Sequence, residues 1–278
     1  MSTEIVYGEV FTRRWVVEAM LDLIGYTPDR DLARTRLIEP SIGSGAFIMP
    51  VVERLLTSAR HHHATAEDLR NCVFGMDLQP AHIATCRSKV ISLLLEHGFD
   101  EYDAESLVMN WFREGDFLLD DVPGDAHFVI GNPPYIRTEA LDDDVEMAYR
   151  TRWATMRGRA DIYVGFYERG LTLLRPEGRL SYICADRWMH NSYGKALRGL
   201  IYKRYAVDTV WQMHDVDAFE AEVSAYPAIT VIVNTPQNEA TFIDTTETFN
   251  EHSAREALTF THGNEESRRG TGWEGVRL

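Results

Sequence analysis

The sequence predicts an α/β fold built on an open, mainly parallel sheet, and three stretches carry that expectation. Each is a short apolar run that stops at a turn of distinctive composition, with a helical stretch between one run and the next. Leu37 and Ile38 lead into Glu39-Pro40-Ser41-Ile42-Gly43-Ser44-Gly45, after which Val51, Val52, Leu55 and Leu56 recur at helical spacing. Residues 72–77 end on Asp77 and precede a helical stretch over residues 81–96. Residues 128–131 run into Asn132-Pro133-Pro134-Tyr135. Sheets of this class bind ligands in the crevice beyond the carboxyl ends of their strands, which is where all three turns belong.

In chain order, residues 7–24 begin with a turn and become a helix. Thr12 is its expected N-cap, and Val16, Val17, Met20, Leu21 and Ile24 form its apolar stripe. The turn after the first strand, with Gly43 and Gly45, lets a ligand approach the backbone, although a tight strand-to-helix turn without a ligand reads the same way. His61, His62 and His63 fall in an expected polar linker. Consecutive histidines cannot all face one ion, so no metal site is expected. Asp77, ending the second strand, suits acceptance from the two hydroxyls of a ribose. Asp116 and Phe117 would receive an adenine amino group and cover the ring, or stand as an exposed loop carboxylate and its neighbour.

The Asn132 stretch carries the chemistry. The two prolines lack N–H groups and have a fixed φ, so the carbonyls around them are held in set directions outside secondary structure. The amide oxygen of Asn132 and the carbonyl of Pro133 can together accept from one –NH2 group, and Tyr135 adds a flat π face beside them. An amino group held in this way has its lone pair drawn out of conjugation and made available to an electrophile. The alternative is a rigid turn with a packed tyrosine.

Residues 141–146 read as an acidic loop. A helix over residues 162–174 follows, with Phe166 on its inner side, and residues 175–178 end it with a proline and a glycine. After a fifth strand at residues 180–184 come Trp188, Tyr193 and a helix bearing Lys195, Arg198, Lys203 and Arg204, either a solvated face or a phosphate contact. Residues 207–213 and 229–234 are expected as antiparallel strands, because the segment between them, which carries Phe219, has no crossover helix. From residue 236 a flexible tail, or the start of a target-recognition region, is expected, leaving residues 1–235 as the catalytic domain.

Composition sets limits on function. No apolar run approaches a membrane span, and residues 1–6 lack the pattern of a signal peptide, so a cytoplasmic location without membrane association is expected. Three widely spaced cysteines fit reduced core thiols. A net charge of −15 means that a nucleic-acid substrate would need a local basic patch or another polypeptide to grip its phosphates.

Taken in order, Glu39-Pro40-Ser41-x-Gly43-x-Gly45, Gly115-Asp116-Phe117, Asn132-Pro133-Pro134-Tyr135, Asp186-Arg187-Trp188 and Tyr193-Gly194-Lys195 make residues 7–235 resemble the γ-group N6-adenine DNA methyltransferases of the fused type IIG restriction-modification kind. The resemblance implies a Rossmann-like, seven-stranded, mainly parallel sheet whose last strand is antiparallel, with helices on both faces. It implies S-adenosylmethionine as cofactor: Thr12, Glu39, Pro40 and Ser41 around its methionine part, Asp77 on the ribose, and Asp116, Phe117 and Phe166 around its adenine. Asn132, Pro133, Pro134 and Tyr135 would hold a target adenine swung out of double-stranded DNA, with Phe219 on the outer side of the base, for in-line methyl transfer to N6. The chain departs from that pattern at Arg13, where the family places proline, and at the acidic Glu220 and Glu222. Few residues remain to read a DNA sequence, so a separate or fused recognition domain is implied. Two rivals are methylation of a glutamine side chain in a protein, and a non-catalytic subunit of the same fold.

Overall fold

The computed structural model describes residues 11–220, 226–237 and 239–262, without the side chains of the last three. Its strands are β1 (Leu37–Glu39), β2 (Val73–Asp77), β3 (Phe112–Glu114), β4 (Ala126–Gly131), β5 (Leu174–Ala185), β6 (Ala206–Gln212), β7 (Pro227–Val233) and β8 (Thr241–Asp244). They form one sheet in the order β3-β2-β1-β4-β5-β7-β6-β8. Only β7 is reversed, lying antiparallel to both β5 and β6. The seven strands expected are present, and β8 adds an eighth, parallel to β6.

From β1 the chain winds outward through β2 and β3, then returns to the other side of β1 as β4 and winds outward again. The crevice above β1 and β4 is therefore the point where the strand order reverses, the site at which such sheets leave room for a ligand.

Period-two alternation builds a core on each side. Leu37, Phe128, Ile130, Ile183 and Val231 face one core, whereas Ile38, Val129, Tyr182, Cys184 and Ile232 face the other. The first core is covered by α1 (Arg14–Ile24), α2 (Ile48–His62), the single turn α3 (Ala66–Leu69), α4 (Pro80–Glu96) and α5 (Glu101–Trp111). The second is covered by α6 (Asp143–Arg152), α7 (Tyr163–Leu173), α8 (Arg187–His190) and α9 (Lys195–Arg204). All three cysteines are buried free thiols, and burial pushes each up to about 12. Among the described residues, no helix is long and apolar enough to cross a membrane.

The structure corrects four local expectations. Thr12 does not cap α1: the extended Arg13 occupies the N-cap position, and Thr12 forms a bridge with Phe219 instead. His61 and His62 belong to the last turn of α2, where basic groups suit the negative end of the helix dipole, and His63 takes the left-handed C-cap conformation. The acidic stretch after residue 141 starts α6, with Asp143, Asp144 and Glu146 at its positive end and Arg150 and Arg152 at its negative end. Residues 175–178 bulge within β5, where its register with β4 shifts, rather than separate a helix from a strand.

The segment expected as a tail from residue 236 is ordered in part. Beyond β8 lies α10 (Glu251–His262), whose buried Ala254 and Ala257 pack in the core shared with α1. Phe249 wedges between Trp15 of α1, at 6.3 Å between ring centroids, and Trp211 of β6, at 5.6 Å. A Thr- and Glu-rich composition hid these few apolar anchors. Residues 1–10 and those beyond 262 lie outside the described residues, as does Glu222.

Candidate active site

A cleft opens at the reversal point between β1 and β4, the place where such sheets bind ligands. One wall is the turn after β1. Gly43 has φ +49°, and a Cβ added there would meet nothing within 4 Å, so this glycine faces open space. Gly45, at φ +96°, does not line the cleft: its Cβ would stand 3.2 Å from Cys86 Sγ, so it admits the close approach of α4. Pro40 and Ser41 line the same wall.

Asp77 is buried at the end of β2. Its Oδ2 accepts from the Gly43 N–H at 2.9 Å, and its Oδ1 from the Gln79 N–H at 2.9 Å, with His82 Nδ1 at 3.1 Å. Glu39, 1% exposed at the end of β1, has a buried Oε2 with no hydrogen-bond partner. Burial, and then the charge of Asp77, push its carboxyl well above the usual carboxylate range. The ends of β1 and β2 thus bring one carboxylate pinned by donors beside one carboxyl lacking a counter-charge.

The far end is aromatic. Phe117 and Phe166 pack on each other at 5.1 Å between centroids and 30° between planes, so they form a single apolar wall rather than two facing jaws. Asp116 lines the cleft beside them. Its Oδ1 accepts from the Leu118 N–H and its Oδ2 from the Tyr149 hydroxyl, both at 2.7 Å.

At the end of β4, Asn132 and Pro134 reach the cleft, while Pro133 is buried. Asn132 Nδ2 donates to Thr12 Oγ1 at 3.3 Å, which orients the amide. Thr12 is held by its bridge to Phe219, by Arg13 N–H donating to Ala218 O at 3.0 Å, and by Glu220 N–H donating to Phe11 O at 2.9 Å. Tyr135 stands beside the cleft, its hydroxyl 3.5 Å from Ile183 O and its ring 6.3 Å from that of Tyr163. Phe219 is 6% exposed and packs in the core near α1, so it is joined to the site through Thr12 rather than lining it. Among the described residues, no group of three or more His, Cys, Asp or Glu is placed to hold a metal ion.

This geometry has relatives. The profile of the Eco57I restriction-modification methylase family matches residues 71–219, more than half of the chain. The chain belongs to that family. Its sequence is 42% identical over 228 residues to the type II methyltransferase M.PaeR7I of Pseudomonas aeruginosa, covering 81% of this chain and 40% of the relative. It is likewise 42% identical over 229 residues to M.XhoI of Xanthomonas vasicola, covering 81% of this chain and 42% of the relative. The chain thus spans about two fifths of the length of these relatives. The crystal structure of the M protein of the type I restriction enzyme EcoKI superposes on 95% of the chain and 56% of its own length, with a TM-score of 0.64 at 14% identity. This domain therefore has the methyltransferase fold that its family membership requires.

Three residues at or beside this cleft carry little signal in the sequence. Tyr149 lies in a stretch that reads as loop before a helix; the acidic start and basic end of α6 were the available signal. His82 lies five residues after Asp77, just inside a helix opened by Pro80, a spacing that returns a side chain toward the strand end. Phe11 lines the cleft next to Thr12 but carries no motif of its own.

Proposed function

We propose that this domain transfers a methyl group from S-adenosylmethionine to the N6 amino group of adenine in double-stranded DNA, as the modification part of a restriction-modification or phage-defence system. The observation that carries the reading is that Asn132 and the unpartnered Glu39 open into one cleft at the β1/β4 reversal. The residues fit this cofactor. Glu39 Oε2 is a buried acceptor suited to an ammonium group, and the open space at Gly43 suits close approach of a ligand to the backbone. Asp77, its oxygens aligned by Gly43 and Gln79, would accept from ribose hydroxyls, and Asp116 with the Phe117–Phe166 wall would take the adenine ring.

Bound S-adenosylmethionine supplies an electrophilic methyl carbon on a positively charged sulfur. The chain supplies the rest. With its nitrogen donating to Thr12, the Asn132 side chain turns its carbonyl oxygen to the target amino group, and the Pro133 carbonyl is the second acceptor. Two acceptors out of the base plane direct the nitrogen lone pair into the cleft. Tyr135, its hydroxyl 3.5 Å from Ile183 O, would offer its ring to a base swung out of the duplex. The relatives extend well beyond the matched region, and recognition of a DNA sequence would fall to a fused or separate domain, with the protein working in the cytoplasm.

The test is incubation of the purified chain with labelled S-adenosylmethionine and unmethylated duplex DNA, followed by analysis of digested nucleosides. N6-methyladenine is expected. Label recovered as methylated cytosine, or as methylglutamine in added protein, would overturn the reading.

A further inference from the structure

Away from the cleft, an open groove lies between the loop before α7 and the outer face of α9. Arg157 and Arg159 line one side, and Lys195, Lys203 and Arg204 the other; all five are exposed. One carboxylate, Glu168, lines it, and its Oε2 already accepts from the Thr155 N–H at 2.7 Å. Five cations against one engaged anion is the reverse of the molecule as a whole, whose net charge is −15.

These cations also differ from others on the surface. Arg14 pairs with Glu18 and Glu53, Arg54 with Glu18 and Asp22, and Arg150 with Glu146. Among the described residues, Arg157, Lys195, Lys203 and Arg204 form no ion pair, and Arg159 is 3.7 Å from Glu139. Like charges left adjacent without carboxylates repel one another, and the arrangement favours a multiply charged anionic ligand.

The position of the groove names the anion. Tyr193 lines it, and its hydroxyl lies 2.6 Å from that of Tyr163, whose ring packs beside Tyr135. The groove is thus two aromatic side chains away from the ring assigned to the target base.

We propose that this groove binds the phosphodiester backbone of DNA flanking the target adenine. The proposal rests on the reading of DNA as substrate and goes beyond it by assigning the phosphate grip to five named side chains. Long flexible lysine and arginine side chains along a groove suit successive phosphates without selecting sequence.

The test measures binding of the purified chain to a fluorescent 25-base-pair duplex as sodium chloride is varied. It compares wild type, the triple variant Lys195→Gln/Lys203→Gln/Arg204→Gln, the double variant Arg157→Gln/Arg159→Gln, and a control Arg34→Gln/Arg60→Gln/Arg70→Gln. Each lost phosphate contact lowers the slope of log affinity against log salt by about 0.9. The triple variant is therefore expected to lose about 2–3 from the slope, and the control nothing. Cofactor binding should be unchanged in all of them, which reports that the fold is intact. Wild-type slopes in both groove variants overturn the proposal while leaving the DNA reading in place. If those variants instead lose affinity for poly-L-glutamate, the groove docks an acidic polypeptide and the proposal is equally overturned. Absence of both DNA binding and N6-methyladenine formation by the wild type overturns the reading and the proposal together.

Discussion

The Gly43 N–H donates to Asp77 Oδ2 at 2.9 Å, so the turn after β1 holds the carboxylate that ends β2. The β1 turn and the proposed ribose acceptor are therefore one hydrogen-bonded unit, and removing the carboxylate disturbs both. Asp77→Ala is expected to weaken S-adenosylmethionine binding by about 10–100-fold, the range for losing hydrogen bonds to a charged group. Titration calorimetry checks this. An affinity within twofold of wild type would confine Asp77 to a structural role with Gly43, Gln79 and His82.

Glu39 sets a pH dependence. Its folded carboxyl sits well above the usual range, because of burial first and Asp77 second. A cationic group bound beside it expels its proton, so cofactor affinity should rise with pH until that raised value is passed and then level off. Calorimetry in buffers of different ionisation heat should show proton release by wild type and none by Glu39→Gln. Stability responds in the opposite sense. Any stabilisation from the raised group is complete below its unfolded pKa and is lost as pH rises through the folded value. Without cofactor, Glu39→Gln should therefore melt above wild type at pH 8, by about 2–4 °C for each kcal/mol relieved, and gain less at pH 5.

Asn132→Ala should reduce methyl transfer by at least about 100-fold, the scale for removing one preorganised polar group from a reacting centre. Cofactor affinity should stay close to wild type, because Asn132 lies at the β4 end of the cleft whereas Glu39, Asp77 and Asp116 come from elsewhere. Separate assays of binding and single-turnover transfer make the comparison, and normal turnover by this variant would sink the mechanism.

Tyr149→Phe deletes the hydroxyl that donates to Asp116 Oδ2. An expected loss of about 1.5–3 kcal/mol for a bond to a charged group corresponds to about 10-fold or more in cofactor affinity. Turnover at saturating cofactor should be preserved. A fall in turnover with unchanged affinity would place Tyr149 on the target side.

Ending the chain after residue 237 removes β8 and α10 and uncovers Trp211, Trp15 and the edge of β6. The truncated protein should melt at lower temperature and self-associate through the bared edge. Light scattering and thermal denaturation decide, and an unchanged melting temperature would mean that these elements add nothing to the core.

The sequence is most legible where strand ends meet special residues. Glu39, Asp77, Asp116 and Asn132 stand out because a β-rich apolar run that stops at a glycine, a carboxylate or paired prolines marks the carboxyl end of a strand, and the fold brings all four to one cleft. Thr12 belongs to the site by resemblance, although it is not the cap its position suggests; its long-range bridge to Phe219 has no local signal. Gly45 looks equivalent to Gly43 in sequence, yet one faces Cys86 and the other open space, a difference only tertiary packing creates. The α6 helix and the β8–α10 addition are hidden by polar composition, each being anchored by a few apolar or aromatic contacts.

The bridge between Thr12 and Phe219 ties the rim of the site to two segments synthesised at different times. Beside it, Arg13 pairs with Asp217, 204 positions away in sequence, at 2.7 Å. On a ribosome adding about 5–20 residues per second, the N-terminal partner waits roughly 10–40 s for its counterpart. The crevice above β1 and β4 can assemble from residues already made, but the segment that steadies Thr12, and through it the Asn132 amide, comes late. A nascent chain therefore completes the Glu39, Asp77 and Asp116 walls of the cleft before the segment that steadies Thr12 and Asn132 is in place.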